Sequence, residues 1–249
     1  MEKINLKDLT LPELEEFLTA NGEQKFRAKQ IFKWLSLGVT DFDEMTDISK
    51  ALRAKLGKIS YISTLTIVRK LVSKIDKTTK YLFKLGDGNT VEAVIMYYKH
   101  GITICISSQV GCRMGCKFCA STGIPFVRNL TSGEIVEQIL AVEQDNNIRI
   151  SNVVFMGIGE PLNNYNNVVN AIRIINNPKG INIGARHISV STSGLVPAIY
   201  RLADENIQCT LSISLHATTN EKRSSMMPVN NAFPIEELLQ ACKDYIAKT

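Results

Sequence analysis

Apolar residues recur at helical spacing through the first 56 positions of the chain. One stripe begins at Leu11, and Thr10 with Glu13 has the spacing of an N-terminal capping box. A second stripe runs through 25–35, with lysines and an arginine on the remaining surface. Ser49 has the position of an N-cap before a third apolar repeat. The pattern predicts three helices in this region.

From Tyr61 onward the pattern changes to the alternation of apolar and polar residues that is typical of β-strands. Strand-like runs occupy 64–72, 80–85, 91–98 and 102–109. The Gly-rich turn G-D-G-N between the second and third runs favours a β-hairpin. We therefore predict an antiparallel β region that ends in a strand leading into a cysteine-rich loop.

Beyond residue 130 helical and strand-like segments alternate. The predicted helix–strand pairs are 131–143 with 152–156, 165–175 with 188–192, and 195–203 with 209–215, followed by a last helix over 235–247. Apolar strands separated by amphipathic helices are typical of βαβ units with a parallel sheet. A further strand normally follows the outer helix of such a unit, so we expect the chain to lack a C-terminal part; a complete but short sheet is the alternative.

Composition limits the class of protein. The chain has 249 residues, of which 45% are apolar and 21% charged, with 15 glycines and 7 prolines. These values exclude disordered, collagen-like and disulfide-scaffold classes. No stretch approaches the ~18 apolar residues of a membrane span, and the N-terminus lacks the apolar run of a signal peptide. We expect a cytoplasmic protein without a membrane segment.

Positive charge is concentrated in one segment. The chain carries a net charge of +5, but residues 50–80 contain nine lysines or arginines and a single acid, Asp76. Such asymmetry indicates a surface that faces a polyanion. A solvated helix face and strand edge is the alternative interpretation.

Three of the six cysteines form a tight group. Cys112, Cys116 and Cys119 lie in V-G-C-R-M-G-C-K-F-C-A-S, directly after a predicted strand. This loop can place three thiolates around one four-iron cube, which leaves one iron without a protein ligand. A structural zinc site needs a fourth ligand, and no Cys or His follows before His187. Chance clustering of core cysteines is disfavoured by the Arg and Lys between them, so we expect an open 4Fe–4S cluster.

This cysteine loop before a βα series resembles the radical S-adenosylmethionine (SAM) superfamily. The resemblance implies that the open iron binds SAM and that the reduced cluster cleaves it to methionine and a 5′-deoxyadenosyl radical. Four further motifs occur in order along the chain: I-C-I-S-S-Q-V-G-C, F-M-G-I-G-E-P-L-N-N, I-S-V-S-T-S-G-L-V-P and S-I-S-L-H-A. Together they resemble the bacterial dual-specificity rRNA and tRNA adenine carbon-2 methyltransferases, the RlmN family, over essentially the whole chain.

The resemblance implies roles for individual residues. The three cysteines would hold the cluster, and residues at the ends of three strands would bind SAM: Gly157, Gly159, Glu160, Ser191, Ser214, Leu215 and His216. Glycines permit close backbone approach, and a Glu carboxylate can accept a hydrogen bond from the SAM ammonium. The glycines have an alternative interpretation, in which they only permit a tight βα turn before Pro161. In the alternative interpretation of His216, the imidazole orients a neighbouring residue without touching the ligand.

Two further residues match catalytic positions of the family. Cys105, seven positions before Cys112, would attack a covalent enzyme–RNA intermediate and release the methylated base through a disulfide. Glu92 would remove the proton from the adenine carbon. A small apolar strand residue is the ordinary alternative for Cys105, and a solvent-facing strand carboxylate is the ordinary alternative for Glu92.

One family motif has no match in this sequence. The family methylates a cysteine in a C-G-Q-L-like motif near its C-terminus, whereas Cys209 and Cys242 stand in different surroundings. We expect the methyl-carrying cysteine to lie outside this chain, in the missing last third of the enzyme.

The implied fold is α/β, a partial (β/α) radical SAM barrel with an N-terminal accessory domain. We predict a helical, RNA-binding accessory domain over 1–60, an antiparallel β extension over 61–101 and an incomplete barrel over 102–249. The resemblance implies large-subunit rRNA and tRNA as substrates and a flavodoxin-type electron donor, and we expect a monomer. The alternatives are a Cfr-type adenine carbon-8 methyltransferase, a non-catalytic RNA-binding protein with a relict cluster, and a radical SAM activase acting on a protein glycine.

Overall fold

Residues 3–249 are described by a computed structural model. Its α-helices are α1 (Leu11–Ala20), α2 (Arg27–Ser36), α3 (Lys50–Ile59), α4 (Ser132–Asn146), α5 (Tyr165–Asn176), α6 (Val196–Asp204), α7 (Asn220–Met226) and α8 (Ile235–Lys248). Its strands are β1 (Ile4–Asn5), β2 (Ser60–Tyr61), β3 (Thr66–Val72), β4 (Thr79–Lys84), β5 (Thr90–Tyr98), β6 (Gly101–Cys105), β7 (Gln109–Val110), β8 (Arg128–Asn129), β9 (Asn152–Phe155), β10 (Ile188–Thr192) and β11 (Thr210–Ile213). No helix within residues 3–249 is long and apolar enough to cross a bilayer.

The three helices predicted at the N-terminal end are confirmed. At the start of α1 the Glu13 carboxylate accepts hydrogen bonds from the backbone N–H (2.8 Å) and hydroxyl (2.6 Å) of Thr10. The Ser49 hydroxyl accepts from the Leu52 N–H at 3.2 Å and caps α3. These contacts satisfy N–H groups that have no partner within the helix. The apolar stripes of α1, α2 and α3 are buried in the core.

A single sheet of seven strands joins the antiparallel region to the βα series. Its order is β11-β10-β9-β6-β5-β4-β3, in which β3 to β6 are antiparallel neighbours and β6, β9, β10 and β11 are parallel. The hairpin between β4 and β5 closes at the predicted turn, where Lys84 pairs with Thr90. The four parallel strands point their carboxyl ends to one edge, and this α/β arrangement confirms the fold class.

The two faces of the sheet differ in burial. On β5, Val91, Ala93 and Ile95 are buried in the core that includes α4 and α5, while Glu92 and Val94 on the other face are partly exposed. This alternation follows from the two-residue period of a strand. We call the second side the open face of the sheet. The parallel strand β10 alternates in the same way, with Ser189 and Ser191 partly exposed on this face, so its side chains are available to a ligand.

The N-terminal segment is attached to α4 by buried polar contacts. Lys7 and Glu137 form an ion pair in which both side chains are almost fully buried. The neighbouring Asp8 carboxylate accepts a hydrogen bond from the Gly133 N–H at 2.7 Å. Paired charges are the condition under which such groups are tolerated in a core. The contact links the N-terminal helices to the sheet layer.

Some elements were not predicted. The sequence pattern gave no indication of β1 and β2, which pair in parallel although their paired residues are 56 positions apart, or of α7. Strands of two residues carry no readable alternation, and the segment that forms α7 has no apolar stripe. The boundaries at residues 60 and 101 remain predictions.

Candidate functional site

The cysteine loop is held at both ends. Gln109 and Val110 of β7 pair with Asn129 and Arg128 of β8, so the intervening residues leave and return at the same place. Within the loop the Cys119 N–H donates to the Cys116 carbonyl at 3.0 Å. Closure by this short ladder gives the three cysteines a defined location beside the sheet.

All three cysteines line one cleft together with the ends of the parallel strands. The cleft encloses about 770 Å³, counting space open to solvent, which lies within the range of ligand pockets of proteins. Five of the seven predicted SAM-binding residues also line it: Gly157, Gly159, Glu160, Ser191 and Ser214. Burial raises the pKa of the Cys112 and Cys116 thiols. The cysteines and the strand-end motifs thus form one site.

The two glycines of G-I-G-E-P are required by close backbone approach. A Cβ on Gly157 would lie 2.6 Å from the Ile106 carbonyl oxygen, and one on Gly159 would lie 2.6 Å from the Gln109 Cβ. Gly159 also has a φ of +106°, which other residues rarely adopt. The local packing therefore accounts for both glycines, in agreement with the tight-turn alternative, and it brings the chain to the wall of the cleft.

Glu160 is buried at the wall of the cleft and holds two loops together. Its carboxylate accepts hydrogen bonds from the Ser193 N–H (2.7 Å) and hydroxyl (2.8 Å), and from the Leu162 N–H (3.1 Å). Burial raises the pKa of Glu160, and the hydrogen bonds from Ser193 oppose that rise. Three acceptor positions are in use, so at most one remains for a ligand ammonium.

The remaining two predicted SAM-binding residues do not line the cleft. His216 is exposed, has a φ of +58°, and packs against the Phe118 ring with centroids 4.3 Å apart. Phe118 itself lines the cleft, so His216 reaches the site through its neighbour, as its alternative interpretation allows. Leu215 is half-buried against the core, and its carbonyl accepts from the Arg223 side chain at 3.2 Å.

Cys105 and Glu92 lie on the open face, outside the wall of the cysteine cleft. Cys105 pairs with Val94 across the β5–β6 ladder, so it shares a face with Glu92 two positions along β5. Burial raises the pKa of the Cys105 thiol, and a hydrogen bond with the Met156 backbone partly opposes this rise. The Glu92 carboxylate is ion-paired with Lys80 at 2.8 Å. Glu92 therefore has a cationic partner on the neighbouring strand β4.

Comparisons with known proteins agree with this geometry. Residues 4–62 match the model described as "Ribosomal RNA large subunit methyltransferase N-terminal domain", and residues 106–249 match that of the radical SAM superfamily. A probable dual-specificity RNA methyltransferase RlmN from Caldanaerobacter subterraneus subsp. tengcongensis is 56% identical over 246 residues, which are 98% of this chain and 72% of the relative. A protein with the same description from Alkaliphilus oremlandii is 55% identical over 249 residues, covering 100% of this chain and 73% of the relative. The chain belongs to the RlmN family.

A solved structure supports the same conclusion for the fold. The crystal structure of a radical SAM methyltransferase from Sphaerobacter thermophilus superposes with a TM-score of 0.92 at 44% identity, and the match covers 99% of this chain and 73% of that one. Membership of the RlmN family makes the protein a SAM-dependent methyltransferase with a 4Fe–4S cluster. It confirms both cofactors predicted from the sequence.

The donors present fit the cluster that the RlmN family implies. Three thiols line one cleft, and thiolate sulfur is the ligand that iron–sulfur clusters take. Across residues 3–249, no group of three or more His, Cys, Asp or Glu is arranged to hold a single metal ion. A cube binds each thiolate at a different iron, so its three ligands need not meet at one metal ion. Cys112, Cys116 and Cys119 are therefore the residues that would hold it.

Sequence reasoning missed several residues of the site. Thr192, Ser193 and Met227 line the cleft, and Arg223 lies buried behind the strand ends. Thr192 and Ser193 directly follow the predicted Ser191, so the motif itself was the signal for them. Arg223 lies in α7, which was not predicted, and Met227 is the residue after that helix. No local sequence pattern indicates either of them.

Replacement of Glu160 by glutamine is expected to loosen this cleft. The glutamine amide presents a donor where Ser193 now donates, so one buried N–H loses its acceptor. We expect the unfolding free energy to fall by about 1–3 kcal/mol, with weaker SAM binding, measured by urea unfolding and calorimetric titration. The exposed Glu16→Gln substitution is the control and should change neither quantity. Parent-like stability and SAM affinity in Glu160→Gln would show that these hydrogen bonds do not organise the site.

Proposed function

We propose that this protein methylates carbon 2 of adenine in large-subunit rRNA and in some tRNAs. The observation that carries the proposal is the single cleft formed by the three cysteines and the G-I-G-E-P motif. Support for the RNA substrate comes from the relatives, whose descriptions name dual-specificity RNA methyltransferases. When bound, the reduced cluster supplies the electron that cleaves SAM.

Within this proposal the chain's own residues bind the cluster, bind and orient SAM, and accept a proton from the RNA base. Cys112, Cys116 and Cys119 hold the cluster, and the strand ends bind SAM next to it. Glu92 takes the proton from the adenine carbon, and Cys105 resolves the covalent RNA intermediate. Support for the last two roles is their shared position on the open face of the sheet. A target adenine must leave its stack to reach this face, which favours loops and single-stranded sites.

The proposed route passes through a methylated cysteine. None of the six cysteines of these 249 residues stands in the C-G-Q-L-like motif that carries the methyl group in the family. The test therefore needs two arms: this chain, and this chain extended by the C-terminal segment of an RlmN relative. A flavodoxin-type donor, a monomeric state and a cytoplasmic location remain predictions.

Product analysis tests the proposal. Both arms are reconstituted anaerobically with iron and sulfide, reduced with dithionite and given SAM with an rRNA fragment or a tRNA. We expect 5′-deoxyadenosine from both arms, and 2-methyladenosine in nuclease digests of the extended arm, measured by mass spectrometry. 8-Methyladenosine would replace the carbon-2 proposal by the Cfr-type one. RNA binding without 5′-deoxyadenosine in either arm would identify a binding protein. 5′-Deoxyadenosine from the extended arm with no methylated RNA would contradict the RNA substrate.

A basic surface is available for the RNA backbone. Of the nine cations in residues 50–80, Arg53, Lys55, Lys70 and Lys80 form ion pairs with acids. The remaining five have no carboxylate within 4.0 Å among the described residues: Lys50, Lys58, Arg69, Lys74 and Lys77. Three of these five lie on the edge strand β3 or in the turn after it. Exposed cations of this kind bind phosphates and release counterions.

Loss of two of these charges is expected to weaken RNA binding and its dependence on salt. For Arg69→Gln/Lys74→Gln the slope of log affinity against log salt should become shallower by about 1.4, because each lost phosphate contact contributes roughly 0.7 on single strands. Fluorescence anisotropy with a labelled single-stranded RNA measures the slope. The control Lys179→Gln/Lys243→Gln removes the same charge elsewhere. Equal slopes for both variants would mean that β3 and the turn after it do not contact RNA.

A further inference from the structure

The largest fully buried side chain among the described residues is a cation. Arg223 of α7 is 0% exposed and donates four hydrogen bonds. Its acceptors are the carbonyls of Leu215 (3.2 Å), Ser193 (2.5 Å) and Ser214 (3.4 Å) and the side-chain carbonyl of Asn230 (2.9 Å). The guanidinium therefore ties together the loops that follow β10 and β11.

Every one of these acceptors is neutral. No carboxylate within residues 3–249 lies within ion-pair distance of Arg223. Glu160, the acid of the cleft, bonds to Ser193 and Leu162 instead. Buried arginines normally have a charged partner, because removing a charge from water is costly. A buried cation held only by carbonyls leaves its charge to be balanced by another group.

The cysteine loop is the neighbour that can supply the balancing charge. The helix of Arg223 is bonded to that loop, because the Lys117 N–H donates to the Met226 carbonyl at 2.9 Å. Met227, the residue after the helix, lines the cleft with the three cysteines. Burial lowers the pKa of Arg223, and the interaction with Cys116 opposes that effect. The cation is thus fixed behind the proposed cluster ligands.

We propose that Arg223 is a positioning residue whose fixed charge favours the reduced form of the cluster bound by Cys112, Cys116 and Cys119. This inference rests on the proposed ligation by those cysteines. Reduction adds one electron from the donor and changes no covalent bond, so the thiolate-bound cluster becomes more negative by one charge. A nearby cation in a low-dielectric surrounding stabilises the more negative state. The carbonyl acceptors do not neutralise the charge of Arg223, so this charge can stabilise the reduced cluster.

A potentiometric titration tests the inference independently of turnover. The chain and its variants are reconstituted anaerobically, bound iron and sulfide are counted, and reduction by dithionite is followed by electron paramagnetic resonance. For Arg223→Met we expect the equilibrium constant for reduction to fall about tenfold, which for one electron is a potential about 59 mV more negative. Arg223→Lys keeps the charge and should remain near the parent. The exposed Arg173→Met is the control for loss of a distant cation.

A second pair of variants decides the matter if Arg223→Met does not fold. Asn230→Asp places a carboxylate where the guanidinium now meets an amide carbonyl, so it should lower the potential as Arg223→Met does, whereas Asn230→Ala should not. Equal potentials for the parent and Asn230→Asp, or for the parent and an assembled Arg223→Met, would overturn the inference. A parent that assembles no cluster would instead show that the proposed ligation is wrong.

Discussion

Cys116→Ala is expected to abolish assembly of the iron–sulfur cluster. The three cysteines are the thiol ligands that line the cleft, and a cube held by two thiolates lacks one of its protein ligands. Bound iron should fall from about four per chain to background. Formation of 5′-deoxyadenosine from SAM should fall to less than about one hundredth of the parent rate, since even partners of metal ligands cost 10–100-fold. Iron and sulfide analysis with chromatographic detection of 5′-deoxyadenosine measures both.

The same loss is expected for Cys112→Ala and Cys119→Ala, because each thiolate binds a separate iron. Cys242→Ala is the matched control, since this half-buried cysteine lies in α8, away from the cleft wall. It should retain the cluster and SAM cleavage. Normal iron content in any one of the three loop variants would remove that cysteine from the ligand set. Loss in Cys242→Ala as well would indicate a general folding defect.

The parts of the fold that were predictable are those with local causes. The capping box of Thr10 and Glu13 and the hairpin at 86–89 are encoded in a few adjacent residues, and both are confirmed. Pairing of β1 with β2 and of β6 with β9 depends on contacts between separate segments. No periodicity reports which strands become neighbours, so the continuity of the seven-stranded sheet was not predictable.

The site shows the same division. The cysteine loop and the G-I-G-E-P turn carry local signals, and they meet because parallel strands end at one edge. Arg223 has the opposite character, since arginine is ordinarily a surface residue and its segment has no apolar stripe. The partner of Glu92 depends on the register of the β4–β5 hairpin, which sets Lys80 opposite Val94 and so diagonal to Glu92. The hairpin was predicted, but its register was not, and the contacts of Arg223 arise only from tertiary structure.

Lys7→Met is expected to destabilise the protein by about 3–5 kcal/mol at pH 8. The substitution leaves Glu137 buried in α4 without its cation. Burial raises the pKa of Glu137 to about 7 even with Lys7 present, so desolvation already outweighs the attraction of the pair. A carboxyl whose folded pKa exceeds its unfolded value binds its proton more tightly when folded. Stability therefore falls as the pH rises from about 4.5 to about 7.

Removal of Lys7 raises the pKa of Glu137 in the folded protein further, because Lys7 lowers it in the parent. The stability of the variant therefore continues to fall at pH values above those at which the parent has stopped losing stability. The difference in unfolding free energy between Lys7→Met and the parent should accordingly be small at pH 5 and widen toward pH 8, as measured by urea unfolding. Lys7→Met/Glu137→Leu removes both charges and should recover most of the loss, because an apolar pair carries no desolvation cost. Lys25→Met breaks the exposed pair with Glu15 and should cost no more than about 1 kcal/mol. A Lys7→Met variant whose deficit is the same at pH 5 and pH 8 would show that lost packing, and not the uncompensated Glu137 charge, causes the destabilisation.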